Sequence, residues 1–275
     1  MIKQNKNYSL FLVAIMAFIM PCLTPVSLTA QNMRKVDNNA FEKGEQLDYK
    51  FYYDSFLPGY VTVGDGTIEI RENNVEMFGR NTMHIAGTVK SRRFFSWFFR
   101  VDNRYETYID EEAIVPWYFM RDIYEGGYER KEETIFDHNG NKAYFEDKKI
   151  NTTDYIQDVI SAFYFARTFD FSSVQPGDEF DVSLLFKDSI YTTKIIMEGR
   201  ETIKTDIGEI KTMRFKPEIL QDSGFKQPWS MTLWISDDEN SVPVLFESRV
   251  IVGYAKMELT GHKGLKHPLA IKKRD

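Results

Sequence analysis

The chain has 275 residues, 35 of them basic and 41 acidic, with a formal net charge of −6. That balance gives no concentrated cationic surface of the kind nucleic acid requires, so nucleic acid is excluded as a partner. The one cysteine, Cys22, falls in the N-terminal apolar segment. The rest of the chain therefore has no disulfide, thiolate metal site or cysteine nucleophile.

Residues 1–30 have the layout of a secretory signal peptide. Lys3 and Lys6 form a positive start, Leu10 to Met20 an apolar core, and Ala30 closes a small-residue cleavage site. The apolar run is short for a membrane span, so cleavage is expected and a retained anchor is the alternative. Pro21 and Met20 fit badly with acylation at Cys22. Without Lys3 and Lys6, 33 basic residues face 41 acidic ones, and no stable transmembrane span is expected. The layout then reads as a lead-in at 31–40, a single β domain at 41–261 and a basic tail at 262–275.

Period-two alternation dominates from there. Gln46 to Ser55 alternates around Leu47, Tyr49 and Phe51. Tyr60 to Glu72 alternates on either side of a Gly64-Asp65-Gly66 break. Asn81 to Lys90 and Val101 to Asp110 follow as strands. Gly126-Gly127 and the Asp137–Asn141 stretch "DHNGN" are hairpin signals. Thr152 to Phe171 departs from the pattern. Ile156, Val159, Ile160, Phe163 and Tyr164 have helical spacing, with Thr153 or Asp154 as the expected N-cap. After Pro176-Gly177 the strands resume, with turns at Lys187-Asp188, Asp206 to Gly208 and Asp237 to Asn240. Trp229, Met231, Leu233 and Ile235 share one face. About a dozen strands and one helix predict a mostly β fold: a curved antiparallel sheet forming a barrel or half-barrel, with the main helix packed against it.

Four separated stretches carry a family resemblance. They are Phe41 to Asp54, Asp158 to Arg167 with the following Pro176-Gly177, Gly199 to Phe215, and Leu233 to Val244 leading to Gly253. In this order they resemble the DUF3108 family of exported bacterial domains. The resemblance implies an exported, mainly antiparallel β protein found in Gram-negative cell envelopes, and it brings no reaction or active site. The architecture is also similar to the periplasmic lipoprotein carriers of the LolA/LolB type, by analogy only.

The residues 91–100, "SRRFFSWFFR", are the densest aromatic run in a chain with 22 Phe, 15 Tyr and 4 Trp. As a strand both faces would be apolar, so a short helical bridge before Val101 is expected, closing one end of the barrel. Arg93, Phe94, Trp97, Phe98 and Arg100 are candidates for contact with an apolar ligand and its anionic head group. Tyr164 and Arg167 continue the helix face begun by Asp158 and Ser161. They are candidates for a polar cavity floor, against the plainer reading that an Asp–Arg pair pins the helix. Trp234 beside Asp237 and Asp238 is a further candidate, although two carboxylates at a strand end more often shape a turn. No metal site is expected, because the "DHNGN" loop fails the calcium-loop pattern. The sequence lacks a nucleophile elbow, an H-E-x-x-H and a phosphate loop.

The chain is accordingly expected to be non-enzymatic and without a cofactor, an exported or periplasmic envelope protein that binds a lipid or another apolar small molecule. The alternatives are an adaptor for another envelope protein and, further away, a glycan hydrolase using a carboxylate pair.

Overall fold

The computed structural model describes residues 33–54, 59–220, 231–249 and 253–272. The expected signal peptide and Trp229 lie outside the described residues. Fifteen strands form one antiparallel sheet. A first meander holds β1 (Gln46–Asp54), β2 (Val61–Ile70), β4 (Arg80–Ser91), β5 (Asp102–Asp110), β6 (Pro116–Glu125), β7 (Tyr128–Asp137), β8 (Lys142–Phe145) and β9 (Lys148–Asn151), with the short β3 (Val75–Met77) paired onto β4. A second holds β10 (Glu179–Phe186), β11 (Ser189–Thr205), β12 (Gly208–Leu220), β13 (Met231–Ser236), β14 (Pro243–Arg249) and β15 (Tyr254–Lys263). The two meanders join where β15 pairs with β1, placing Tyr49 opposite Leu259.

The free ends of this path are β9 and β10, and among the described residues no ladder joins them. They nevertheless approach each other, since Lys148 Nζ lies 2.7 Å from Asp188 Oδ2 at the β10–β11 turn. The chain between them lines the gap. Gln157 N donates to Ser183 O (3.2 Å), Gln157 O accepts from Leu185 N at 2.7 Å, and the side-chain amide nitrogen Nε2 donates to Ile114 O at 3.0 Å. The fold is thus an open barrel whose outer β10 edge is covered by one residue of a connector. Covering an edge in this way blunts a template for unwanted strand pairing.

Two helices are present among the described residues, α1 (Arg93–Ser96) and α2 (Val159–Arg167). α2 starts later than the sequence predicts. Asp158, not Thr153 or Asp154, is the N-cap: its side chain accepts from Ile160 N (2.7 Å) and Ser161 N (2.9 Å), and Ser161 Oγ accepts from Asp158 N at 2.8 Å. This reciprocal capping box outcompetes the earlier hydroxyl and carboxylate because residues 156–157 are committed to the sheet edge. Ile156, Ile160 and Tyr164 pack on Ile70, Ile85, Ile109 and Phe136, forming the main core inside the barrel. A second cluster joins Phe171 to Met197, Met213 and Phe215, and a third joins Leu47 and Tyr49 to Val242 and Leu259.

The expected break at Gly64-Asp65-Gly66 does not occur, because β2 runs through it. A Cβ on Gly66 would stand 2.7 Å from the Phe51 ring and 3.0 Å from Thr88 O, so these glycines admit neighbours instead of turning the chain. At the Asp137–Asn141 turn the left-handed residue is Asn141 (φ 48°), while Gly140 donates its N–H to Asp137 Oδ1 at 2.9 Å. The basic tail is docked as far as it is described: Leu265 and Leu269 pack on the third cluster, and Ile271 bridges to Ile210.

Candidate functional site

A cavity of about 320 Å³ lies between α2 and the concave face of the sheet. Val159, Ile160 and Phe163 form its helix wall. Phe51, Ile68 and Val89 line the first meander, and Met257 and Phe186 the second. Room remains because Gly87 in β4 carries only hydrogen on the concave face, whereas the space left by Gly66 in β2 is taken by the Phe51 ring. A Cβ at Gly87 would meet Tyr105 Cβ at 3.8 Å and Ile160 Cδ1 at 3.9 Å, ordinary contact distances, so room remains there.

Four lining residues carry hydroxyl groups, Tyr49, Thr67, Thr88 and Tyr105; those of Tyr49 and Thr67 are bonded to Pro243 O and Asp48. Tyr105 lines the cavity, and burial raises its hydroxyl pKa above the usual tyrosine range. Next to Tyr105 in register, Arg121 is buried, ion-paired with Glu132, and lies 4.9 Å over the Phe186 ring. A largely apolar chamber with a few hydroxyl groups in its lining, and an ion-paired guanidinium against the lining residue Phe186, favours a ligand that is mostly hydrocarbon with a small polar end.

The sequence candidates separate into three places. Arg93, Phe94, Trp97, Phe98 and Arg100 stand together in the β4–β5 connection as an exposed knob that does not line the cavity. Phe94, Trp97 and Phe98 are 69%, 83% and 68% exposed, where closure of the barrel end requires burial. The expected short helix is present. Ser91 and Ser96 share a 2.8 Å hydroxyl bond and Val101 N donates to Ser91 Oγ, which pinches the base of the loop and turns its rings outward.

Tyr164 and Arg167 form a buried hub. Arg167 reaches both oxygens of Glu45 (2.6 and 2.7 Å), Asn240 O (2.9 Å) and Ala40 O (3.3 Å), and Tyr164 Oη donates to Glu45 at 3.3 Å. Burial alone would lower the Arg167 pKa, but bidentate Glu45 outweighs it and holds the guanidinium above its ordinary value. The partner expected from sequence, Asp158, instead accepts from Thr107 Oγ1 at 2.6 Å. Trp234 is on the convex side, its indole donating to Glu201 at 2.9 Å. Asp238 shapes the β13–β14 turn, accepting from Ser236 Oγ, Asn240 N and Ala270 N.

The sequence reading passed over the cavity residues themselves. The available signal is Gly87, a glycine inside the alternating strand β4.

A family profile for the protein of unknown function DUF3108 matches residues 48–260. The chain belongs to the DUF3108 family. No curated protein matches the sequence. Among solved structures this DUF3108 chain is similar to a β-barrel-like protein of the domain of unknown function DUF1849 from Brucella abortus. The TM-score is 0.56 at 9% identity, over 85% of this chain and 99% of that one, a likeness of fold alone. Weaker likenesses are to a protein from Bacteroides fragilis named for export and a YmcC-like fold (TM-score 0.33, 12% identity, 83% and 99% covered) and to one from Parabacteroides distasonis named as a lipoprotein (0.32, 13%, 85% and 100%). No helix among the described residues of this DUF3108 protein is long and apolar enough to cross a membrane.

Proposed function

We propose that this DUF3108 protein is a non-enzymatic, exported envelope protein that holds an apolar or amphiphilic small molecule, lipid-like in chemistry, between α2 and the concave face of its open barrel. The observation that carries this reading is the largely apolar cavity under α2, with room left at Gly87. Side chains in ordinary cores fill such space, since each unfilled volume forfeits dispersion contacts. Here the open volume meets both meanders and the helix at once, in the size range of small-molecule sites. Export rests on the layout of residues 1–30.

Native mass spectrometry of gently purified protein tests the reading, together with displacement of a fluorescent fatty-acid probe. Wild type is expected to carry a lipid adduct and to take up the probe. Gly87→Leu, which grows a side chain into the chamber, is expected to lose both while keeping or raising Tm. An empty wild-type protein that ignores the probe would end the proposal.

The adaptor alternative has one observation in its favour, the outer edge of β9, which pairs only with β8. Lys148 and Lys149 stand on that short strand, and lysines on an edge discourage strand addition.

A further inference from the structure

The antiparallel order brings the C-terminal ends of β1, β4, β6 and β10 to the same rim as the starts of β2, β5, β7, β11 and β15, as pairs such as Asp54 with Tyr254, Lys90 with Asp102 and Glu125 with Tyr128 require. Most of the exposed rings among the described residues gather there, Phe78 at the β3–β4 turn of the opposite rim being an exception. Phe94, Trp97, Phe98 and Phe99 form the knob; Phe98 packs on Phe94 and on Trp97, whose ring centroid is 4.9 Å away, and Phe99 lies against Gly126. Tyr60, Tyr128 and Tyr254, each 43% exposed or more, stand on the same rim. The opposite rim, with its turns at 111–115, 206–207 and 237–242, contains the buried Glu45–Arg167 hub and the acidic Asp237–Glu239 stretch.

A contiguous apolar knob of this kind is rare on a protein that stays in water. Its charge points to the partner. The chain as a whole is acidic, yet the knob is flanked by Lys90, Arg92, Arg93 and Arg100. The carboxylates within reach are already taken, Asp65 by Arg92 and Asp102 by Arg100 and Lys90. Arg93 makes no ion pair among the described residues. Aromatic rings with cations at their base, on an element pinned by the Ser91–Ser96 bond, match the water–bilayer interface, where rings sit at head-group depth and cations meet lipid phosphates.

We propose that the 93–99 knob is a membrane-docking element that seats Phe94, Trp97, Phe98 and Phe99 in the interfacial layer of a bilayer bearing anionic head groups, with Arg93 facing those groups. Part of the cavity lining comes from strand ends near this rim, Phe186 at the tip of β10 and Val89 near the end of β4, so docking turns that side of the chamber towards the membrane surface. The docking proposal stands without the cavity reading, because it rests on exposure and charge alone.

The test is flotation of the protein, as recovered from the cell envelope, with vesicles of phosphatidylcholine alone and of phosphatidylcholine with phosphatidylglycerol. Quenching of Trp97 by brominated lipid is read in parallel. Wild type is expected to float with the anionic vesicles. Its fluorescence is expected to be quenched there, and Trp97→Phe should remove most of that quenching while preserving flotation. The Trp97→Ser/Phe98→Ser pair should lower partitioning by about tenfold or more at unchanged Tm, since both side chains are exposed. Arg93→Glu should erase the preference for anionic vesicles, and Gly87→Leu should float like wild type. Wild type that does not float, bound protein whose Trp97 is not quenched, or a knob that proves to mediate self-association or to hold a partner protein instead would each overturn the proposal.

Discussion

Asp158 is a fully buried carboxyl that caps α2 and titrates near physiological acidities. Its carboxyl is fully buried, and burial pushes its pKa up to about 6 against the opposing hydrogen bonds from Thr107, Ser161 and Ile160. Thr107 Oγ1 also lies 3.2 Å from Tyr118 O. A protonated Asp158 can therefore donate to the threonine while the threonine donates to that carbonyl, so the neutral acid fits the site without a lost bond. The sign follows from linkage: the folded protein holds this proton more tightly than the unfolded chain. The stabilisation is complete below about pH 4 and is lost as pH rises through about 6, a swing of about 3 kcal/mol at most. Asp158→Asn keeps a capping oxygen and cannot ionise. Urea denaturation is expected to show a shallower fall in stability between pH 4 and 7 for this variant than for wild type, and identical slopes would refute the assignment. Arg167 makes the opposite case, a charge that must stay. Arg167→Met leaves Glu45 buried without its cation and is expected to cost about 3–5 kcal/mol. Adding Glu45→Leu removes the orphaned charge, so the double variant is expected to be more stable than the Arg167→Met single; strict additivity in a double-mutant cycle would contradict this.

At the scale of elements, the helix and the knob show what the sequence could and could not carry. Apolar spacing located α2, and the resemblance to an exported β family agrees with the strands on either side. Its start was misplaced because Asp158 and Ser161 look like a polar stripe in a linear reading. Only the contact of Gln157 with the β10 edge forces the chain to begin its helix one residue later. Ser161→Ala removes half of the capping box and is expected to cost about 1 kcal/mol, with loss of α2 amide protection measurable by hydrogen exchange; unchanged protection would mean that packing alone sets the helix start. The site was less legible than the fold for a related reason. Sequence patterns report side chains that are present, whereas room in this cavity comes from the side chain missing at Gly87, and the two glycines around Asp65, which ordinarily read as a turn, lie inside β2. The knob was visible as composition, but its outward direction depends on the Ser91–Ser96 pinch, which alternation does not encode.

Across the whole molecule, chain order and spatial order differ in a way that sets where damage spreads. The strands at the start and end of the domain, β1 and β15, are neighbours in the middle of the sheet, while the free edges β9 and β10 come from mid-chain. Each meander is a run of local hairpins, and the β15–β1 ladder and the α2 core are the main joints between them, beside the Gln157 bridge and the Lys148–Asp188 pair. Leu259 is fully buried opposite Tyr49 at that seam, and Tyr49 Oη reaches across to Pro243 O at 3.0 Å. Phe145 is buried just as well, but in β8 beside the open edge. Both substitutions to alanine remove a large apolar side chain and are expected to cost about 3 kcal/mol or more. Their reach should differ. Leu259→Ala weakens the joint through which each meander supports the other, so amide exchange should accelerate in β4–β6 and in β11–β13 together. Phe145→Ala loosens strands that few others lean on, so faster exchange should stay within β7–β9, the pattern of a locally opening unit. Exchange after Leu259→Ala that rises in one meander alone would mean that the halves fold as independent units and that α2, not the seam, holds the barrel together.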